Sequence, residues 1–386
     1  MKKVLIVTNN MNIGGIQKAL LELLKALSRR EDLSISLFCC SKSGIFLERV
    51  PKAIKLLPEN KWAKVSESTA EACKKMGLPY FVFRVSASVW SKLLHKGLPA
   101  RWLCASVGEL GNYDIAISFS QPIHDKAFCN LTNEIVINCC QAKRRITFVH
   151  CDFANYGGNT KYNRALYERF DAVAAVSESV GNKFLNCVPN MHGKVYTVYN
   201  FCDTEEILRL AAEQPVRYSQ KTVVTVARLS EEKGLLRCVP IFARLKSEGV
   251  QVCWHIVGGG PMESQLKSMI CEYGLEENVV LEGQQTNPYR FLKNADYLFL
   301  PSLHEAAPVV FDEAIALGIP ILTTDTLSSK EMVSDRNAGF VCGSQDEDIY
   351  RMLHDAFRTR NAINNAVPTN REQCMKQFDR VCGIEE

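Results

Sequence analysis

None of the sixteen cysteines stands in a C-x-x-C pair, so the ligand spacing of metal sites and dithiol motifs is missing. Nor does any stretch approach the roughly 20 apolar residues that span a bilayer. The opening MKKVLIVTNN offers only VLIV, too short for the apolar core of a secretory signal. These absences predict a cytoplasmic chain without a disulfide framework. Its cysteines, including the adjacent pairs Cys39-Cys40 and Cys139-Cys140 in strand contexts, read as buried free thiols packing as small hydrophobes. The fingerprint G-x-G-x-x-G is absent as well, and no acidic residue ends the second strand to hold a ribose. Hydride transfer from a dinucleotide is therefore disfavoured.

Aspartate is missing from residues 51–101, which carry ten Lys/Arg against three Glu. That segment is +7 in a chain of net charge +4, leaving −3 for the remainder. Trp62, Tyr80, Phe81, Phe83, Trp90 and Trp102 interleave with the charges. Such a segment can lie on an anionic membrane surface, or form a solvated pair of helices; nucleic acid is not the expected partner.

What is present is the composition of an ordinary globular protein, 47% hydrophobic and 23% charged over 386 residues, enough for two domains. VLIVT (4–8) reads as a buried strand, NNMNIGG as a loop and residues 16–30 as a helix. Strands follow at 34–39, 114–119, 146–150, 172–177 and 195–200. A second series opens at 222–227, passes through the polar loop 228–234 into a helix, and continues with strands at 252–258, 279–283, 297–302 and 320–325. Alternating strands and helices predict an α/β chain of two Rossmann-like, doubly wound domains facing a central cleft. The boundaries read as 1–203, a linker at 204–220, and 221–370, with a helix at 371–386 packing back toward the first domain.

Each strand-to-helix loop is a candidate anion site. Gly14 and Gly15 open the first helix, as a ligand loop or only a tight turn. Arg228 and Lys233, beside Gly234, could clamp a diphosphate or pair with Glu231 and Glu232. His150 ends a strand and could reach the cleft, or be a core histidine bonded to backbone. Asp346-Glu347-Asp348 read as the acidic first turn of a helix, Ser344 and Glu347 forming a capping box. The stretch HEAAPVVFDEA places Glu305 in a loop after a strand and Glu313 inside the following helix, which Pro308 starts and Gly318 closes. Their eight-residue spacing says nothing by itself, because Glu59/Glu67 and Glu205/Glu213 share it.

In order and interval, the N-terminal Gly-Gly, His-x-Asp at 150–152, VSES, VYNFCDTE, ARLSEEKG, VGGGP, NPYRFLKNADYLFLPS and E-x7-E resemble the GT-B fold retaining glycosyltransferases of family GT4. The wording NPY…NADYLFLPS is closest to members that build capsule, exopolysaccharide or O-antigen chains. The resemblance implies sugar transfer from a UDP- or GDP-sugar to a glycan acceptor, often lipid-linked, with no cofactor and no metal. Catalytic roles fall to His150, Arg228, Lys233 and Glu305. Donor contacts fall to Gly14, Gly15, Gly258, Ala306, Ala307, Pro308, Val309 and Glu313. A nucleotide-sugar 2-epimerase of the same fold and a non-catalytic nucleotide-sugar binder are the alternatives. One departure stands out. The family has E-G-aromatic after its first glutamate, and here Ala306-Ala307 follow Glu305.

Overall fold

The computed structural model describes residues 1–358 and 366–384. It divides into two compact units, Met1–Asn200 with the segment from Asn370 onward, and Phe201–Thr369. The first contains strands β1 (Lys2–Thr8), β2 (Leu33–Cys39), β3 (Lys55–Leu56), β4 (Gly111–Ser118), β5 (Cys140–Val149), β6 (Ala172–Ala175) and β7 (Val195–Thr197). They form one sheet in the order β3-β2-β1-β4-β5-β6-β7. The second contains β8 (Thr222–Val226), β9 (Cys253–Val257), β10 (Val279–Gly283), β11 (Tyr297–Leu300), β12 (Ile321–Thr324) and β13 (Gly339–Cys342), ordered β10-β9-β8-β11-β12-β13. Every pairing in both sheets is parallel.

Parallel strands covered on both faces need apolar residues on both. Along β11, Tyr297 and Phe299 enter one core with Val223, Trp254 and Ile256. Leu298 and Leu300 enter the other with Val224 and Phe311. This is the period-two alternation of a strand with both sides buried. Trp254 is fully buried, stacks on Phe242 at 4.8 Å and donates Nε1–H to Thr225 Oγ1 at 2.9 Å. Removing a packed indole of this kind costs about 3–5 kcal/mol.

Several elements differ from the sequence reading. The run that resembles a strand before Cys139 is a helix, Thr132–Cys139. A short, uniformly apolar run cannot settle between the two by periodicity. Buried Asn133 and Glu134 settle it here, accepting hydrogen bonds from Thr147 Oγ1 and Tyr162 OH. The expected linker begins with a helix, Thr204–Ala212, capped by Asp203. Its narrow apolar edge, Ile207 and Ala211, packs with Cys202 and Tyr289 in the second unit. At the other end, the helix Arg371–Cys382 belongs to the first unit. Arg144 donates to its Val381 carbonyl, and Gln377 accepts from Tyr199 N–H. Residues 385 and 386 of the expected 371–386 helix lie outside the described residues.

The cysteines are all free, and eleven of the sixteen are buried. Burial pushes thiols such as Cys39 and Cys140 up to about 12, which keeps them protonated and inert.

Candidate active site

In the second sheet the chain leaves β8 toward β9 and leaves β11 toward β12, on opposite sides. Loops that diverge in this way open a crevice at the carboxyl ends of the two strands. The loop after β8 carries Arg228 and Lys233, and the loop after β11 carries Glu305. Residues 72 positions apart thus meet: Lys233 Nζ lies 2.5 Å from Glu305 Oε1. Ser302, fully buried just past β11, donates its hydroxyl to the same carboxylate oxygen at 2.8 Å. Ser302 is itself held by Thr324, whose hydroxyl donates to its carbonyl at 2.5 Å.

The backbone beneath these side chains is drawn tight by glycine. At Gly234, φ is +64°, and an added Cβ would sit 2.4 Å from the Pro301 carbonyl oxygen. At Gly258, φ is +152°, and a Cβ would meet the Ala227 oxygen at 1.8 Å. No L side chain fits either place, so the loops after β8, β9 and β11 approach one another only through glycine. Arg237 adds a clamp, its guanidinium donating to the carbonyls of Pro301 and Ser344.

Of the two alternatives for Arg228 and Lys233, the ion pairs with Glu231 and Glu232 are not seen among the described residues. Glu232 instead accepts from Ser230 Oγ at 2.6 Å. Burial raises its carboxyl, but that bond and the charges of Lys233 and Arg228 prevail and hold it below the usual carboxylate range. Arg228 is exposed and has no ion-pair partner among the described residues. The crevice therefore holds one cation already matched by Glu305 and one open to solvent.

Past Glu305, Ala306 is buried and Ala307 partly so. Neither has a positive φ, so the missing family glycine brings no backbone strain in this conformation. The helix spans Val309–Ala316, with Pro308 at its N-cap (φ −64°, ψ 118°), one residue earlier than expected. Proline's missing N–H is harmless at either position. No side chain caps this end, which leaves its first amides to a ligand. Glu313 is buried one turn inside. Gly318, at φ +72°, follows the helix end. Beside Glu313, Asp312 is only 1% exposed and accepts from Arg336 at 2.9 Å and from Thr369 N–H and Oγ1. That ionic lock was not foreseen, since its partners lie 24 and 57 residues away.

The acidic run 346–348 keeps its structural role by another geometry. Asp348 accepts from Gln345 N–H, while Glu347 pairs with Arg244 at 2.7 Å instead of closing a box with Ser344.

In the first unit the order reverses between β1 and β4. Gly14 and Gly15 follow β1, but Gly14 is extended (φ 179°) and Gly15 begins the helix Gly15–Leu27. Neither uses the positive φ that glycine allows. A Cβ at Gly14 would meet Gln17 Oε1 at 2.5 Å, whereas nothing lies within 4 Å of one at Gly15, and no side chain caps the helix. His150, just past β5, is the backbone-bonded core histidine. Its Nε2 lies 2.7 Å from the Phe119 carbonyl oxygen, and its ring packs between Phe119 and Phe148. Burial pushes its pKa down to about 4, against a smaller upward pull from Phe119, so the ring is neutral at pH 7. Gln121, also missed, accepts from the N–H groups of His150 and Cys151 at 2.8 and 3.0 Å. Only its side-chain type after a strand could have suggested it.

Residues 209–369 match the family described as Glycosyl transferases group 1. A colanic acid biosynthesis glycosyltransferase (putative, WcaL) of Salmonella typhimurium strain LT2 is 28% identical over 168 residues, 41% of each chain. An N-acetylgalactosamine-N,N'-diacetylbacillosaminyl-diphospho-undecaprenol 4-alpha-N-acetylgalactosaminyltransferase of Campylobacter jejuni is 29% identical over 194 residues, 49% of this chain and 51% of that one. The alignments thus span about half or less of these two relatives' lengths. Among solved structures, Anabaena HepE in complex with UDP and glucose superposes with a TM-score of 0.63 at 16% identity, covering 94% of this chain and 92% of that one. Two parallel sheets of like strand order and the superposition agree that the chain has the GT-B fold, and residues 209–369, within its second unit, match the glycosyl transferases group 1.

Proposed function

We propose that this chain is a retaining glycosyltransferase. It moves a sugar from a UDP- or GDP-sugar to a lipid-linked glycan acceptor in the synthesis of a cell-surface polysaccharide. The observation that carries the reading is the meeting of Lys233 and Glu305 at the carboxyl ends of β8 and β11, with Arg228 in the same loop as Lys233 and without an ion-pair partner among the described residues. A departing nucleoside diphosphate gains negative charge as the glycosidic bond breaks. The two cations stabilise that charge without a general acid, and the step calls on no metal. Glu313 is assigned to the nucleotide ribose and Glu305 to the donor sugar, where it exchanges Lys233 for the incoming ligand. The backbone of Ala306 to Val309, with its amides at Ala306, Ala307 and Val309, and the backbone at Gly258 are assigned to the same donor. Retention follows from attack on the face the leaving group departs, with a phosphate oxygen taking the acceptor's proton. Glu305 and Glu313 are not a glycosidase pair in this reading. Gly14, Gly15 and His150 are assigned to the sugar and acceptor side, His150 as a neutral ring.

The relatives support the reading by what they are said to do: colanic acid biosynthesis in one, and transfer to a sugar chain carried on diphospho-undecaprenol in the other. The solved neighbour was captured with UDP and glucose. Ala306-Ala307 favour a second reading, a nucleotide-sugar binder without turnover, because they replace the pair that meets the donor in the family. Incubation with UDP- and GDP-sugars, following nucleoside diphosphate release, separates these. Release only when an acceptor is present supports the transferase. Conversion of the donor without release indicates a 2-epimerase, and thermal stabilisation without turnover indicates the binder.

A further inference from the structure

The helix Leu78–Leu93 turns its apolar side outward. Leu78, Val82, Val85, Val89 and Leu93 are all exposed, the two leucines by 70% and 73%. At 3.6 residues per turn the five fall within an arc of about 80°. The opposite side is already occupied: Ala87 and Ser91 are buried, and Tyr80 and Phe83 pack on Trp62 at 4.7 and 5.6 Å. Trp90 at the flank of this arc, Leu94 just past the helix end and Trp102 on the next helix, Gly97–Val107, are exposed as well. A solvent-facing helix side ordinarily carries polar groups, and a contiguous apolar patch marks an interaction surface.

Charge identifies the occupant. Between Glu71 and Glu109 the sequence has six Lys/Arg and no acidic residue. Arg84 turns inward to the carbonyls of Ser68 and Phe128, and Lys96 is buried 3.2 Å from Glu134. Lys74, Lys75, Lys92 and Arg101 stay exposed around the stripe, Lys75 sharing its charge with Glu71. Sixteen helical residues rise about 24 Å, short of the roughly 30 Å hydrocarbon layer. No helix among the described residues is long and apolar enough to cross a membrane. A second copy of this chain would set like charges against one another.

We propose that this face docks on a bilayer rich in anionic phospholipid. The helix lies in the headgroup plane, with its five aliphatic side chains and the indoles of Trp90 and Trp102 at the acyl boundary and Lys74, Lys92 and Arg101 on the phosphates. The proposal stands on this surface alone and does not rest on the transferase reading. It differs from the sequence expectation in its anchors, since Trp62, Tyr80 and Phe83 are engaged with the protein core.

The test is co-sedimentation of the full chain with phosphatidylcholine vesicles, with or without phosphatidylglycerol. Binding is expected only with phosphatidylglycerol, weakening as salt rises, with tryptophan emission shifting to the blue. Val82→Glu/Val89→Glu, at solvent-facing positions, should weaken binding by about tenfold or more while leaving the melting temperature and transfer to a soluble acceptor unchanged. No pelleting at low salt, equal pelleting with phosphatidylcholine alone, or unchanged binding by the double variant would each overturn the proposal. So would a vesicle-independent dimer in light scattering that the same variant dissolves. Loss of vesicle binding with transfer intact, or the converse, shows which reading has failed.

Discussion

The two sheets reverse strand order at the same place, between their first and fourth strands, yet the residues there are of opposite character. At the end of the first sheet stand Thr8, Ser120, Gln121 and His150, all buried and uncharged at neutral pH. At the end of the second stand Arg228, Lys233, Glu305 and Glu313. Topology selects where a ligand can sit, and the side chains then decide which ligand. Neutral donors and acceptors suit hydroxyl-rich groups, and a pair of cations suits a diphosphate.

The largest effect that would break this contrast comes from the cations. Lys233→Ala or Arg228→Ala should lower the rate of sugar transfer by roughly 10²–10³-fold, while Arg228→Ala leaves the melting temperature unchanged because that residue is exposed. Near-normal turnover would remove the diphosphate from this crevice.

The neutral side is sharpened by pH. His150 has a folded pKa of about 4, below the unfolded value near 6.5, so only the unfolded chain takes up the proton between them. Its contribution is fully present above pH 6.5 and lost as pH falls toward 4, about 3 kcal/mol over that window. Denaturant titrations across the window should show the slope in the native protein and lose it in His150→Gln. An unchanged slope in that variant would mean His150 is not the group that titrates.

A smaller effect tests the scaffold on the charged side. Asp312→Asn should destabilise the protein by about 1–3 kcal/mol, since it weakens three hydrogen bonds to a buried carboxylate. Thermal unfolding reads this directly, and no loss would demote the lock to a passive contact. The smallest effect is expected of Ala306→Gly. With no positive φ to relieve, glycine there should cost about 0.5–1 kcal/mol. Recovery of much higher turnover by that variant would instead show that the family glycine works through flexibility.

Much of this arrangement was legible in the sequence, for physical reasons that differ by element. TVVTV and YLFLPS announce buried strands as apolar runs before polar loops, and that places Arg228, Lys233 and Glu305 past strand ends. What stayed hidden depends on distant partners. Lys233 chooses Glu305 over the adjacent Glu232 because the glycine contacts bring the two loops together. The four residues of β13, each only partly buried, hold too little pattern to be seen. The helix Thr132–Cys139 shows its type only through Asn133 and Glu134, whose partners come from β5 and beyond.

On the proposed transferase reading, the Lys233–Glu305 contact has a further consequence. Its carboxylate is a tethered competitor, present at a local concentration that no free ion matches. A small free anion gains little by displacing it, whereas a nucleoside diphosphate bound as proposed would engage Arg228 and the helix amides at the same time. The resting site is thus partly self-occupied, and it filters its ligands by how many contacts they bring rather than by charge alone.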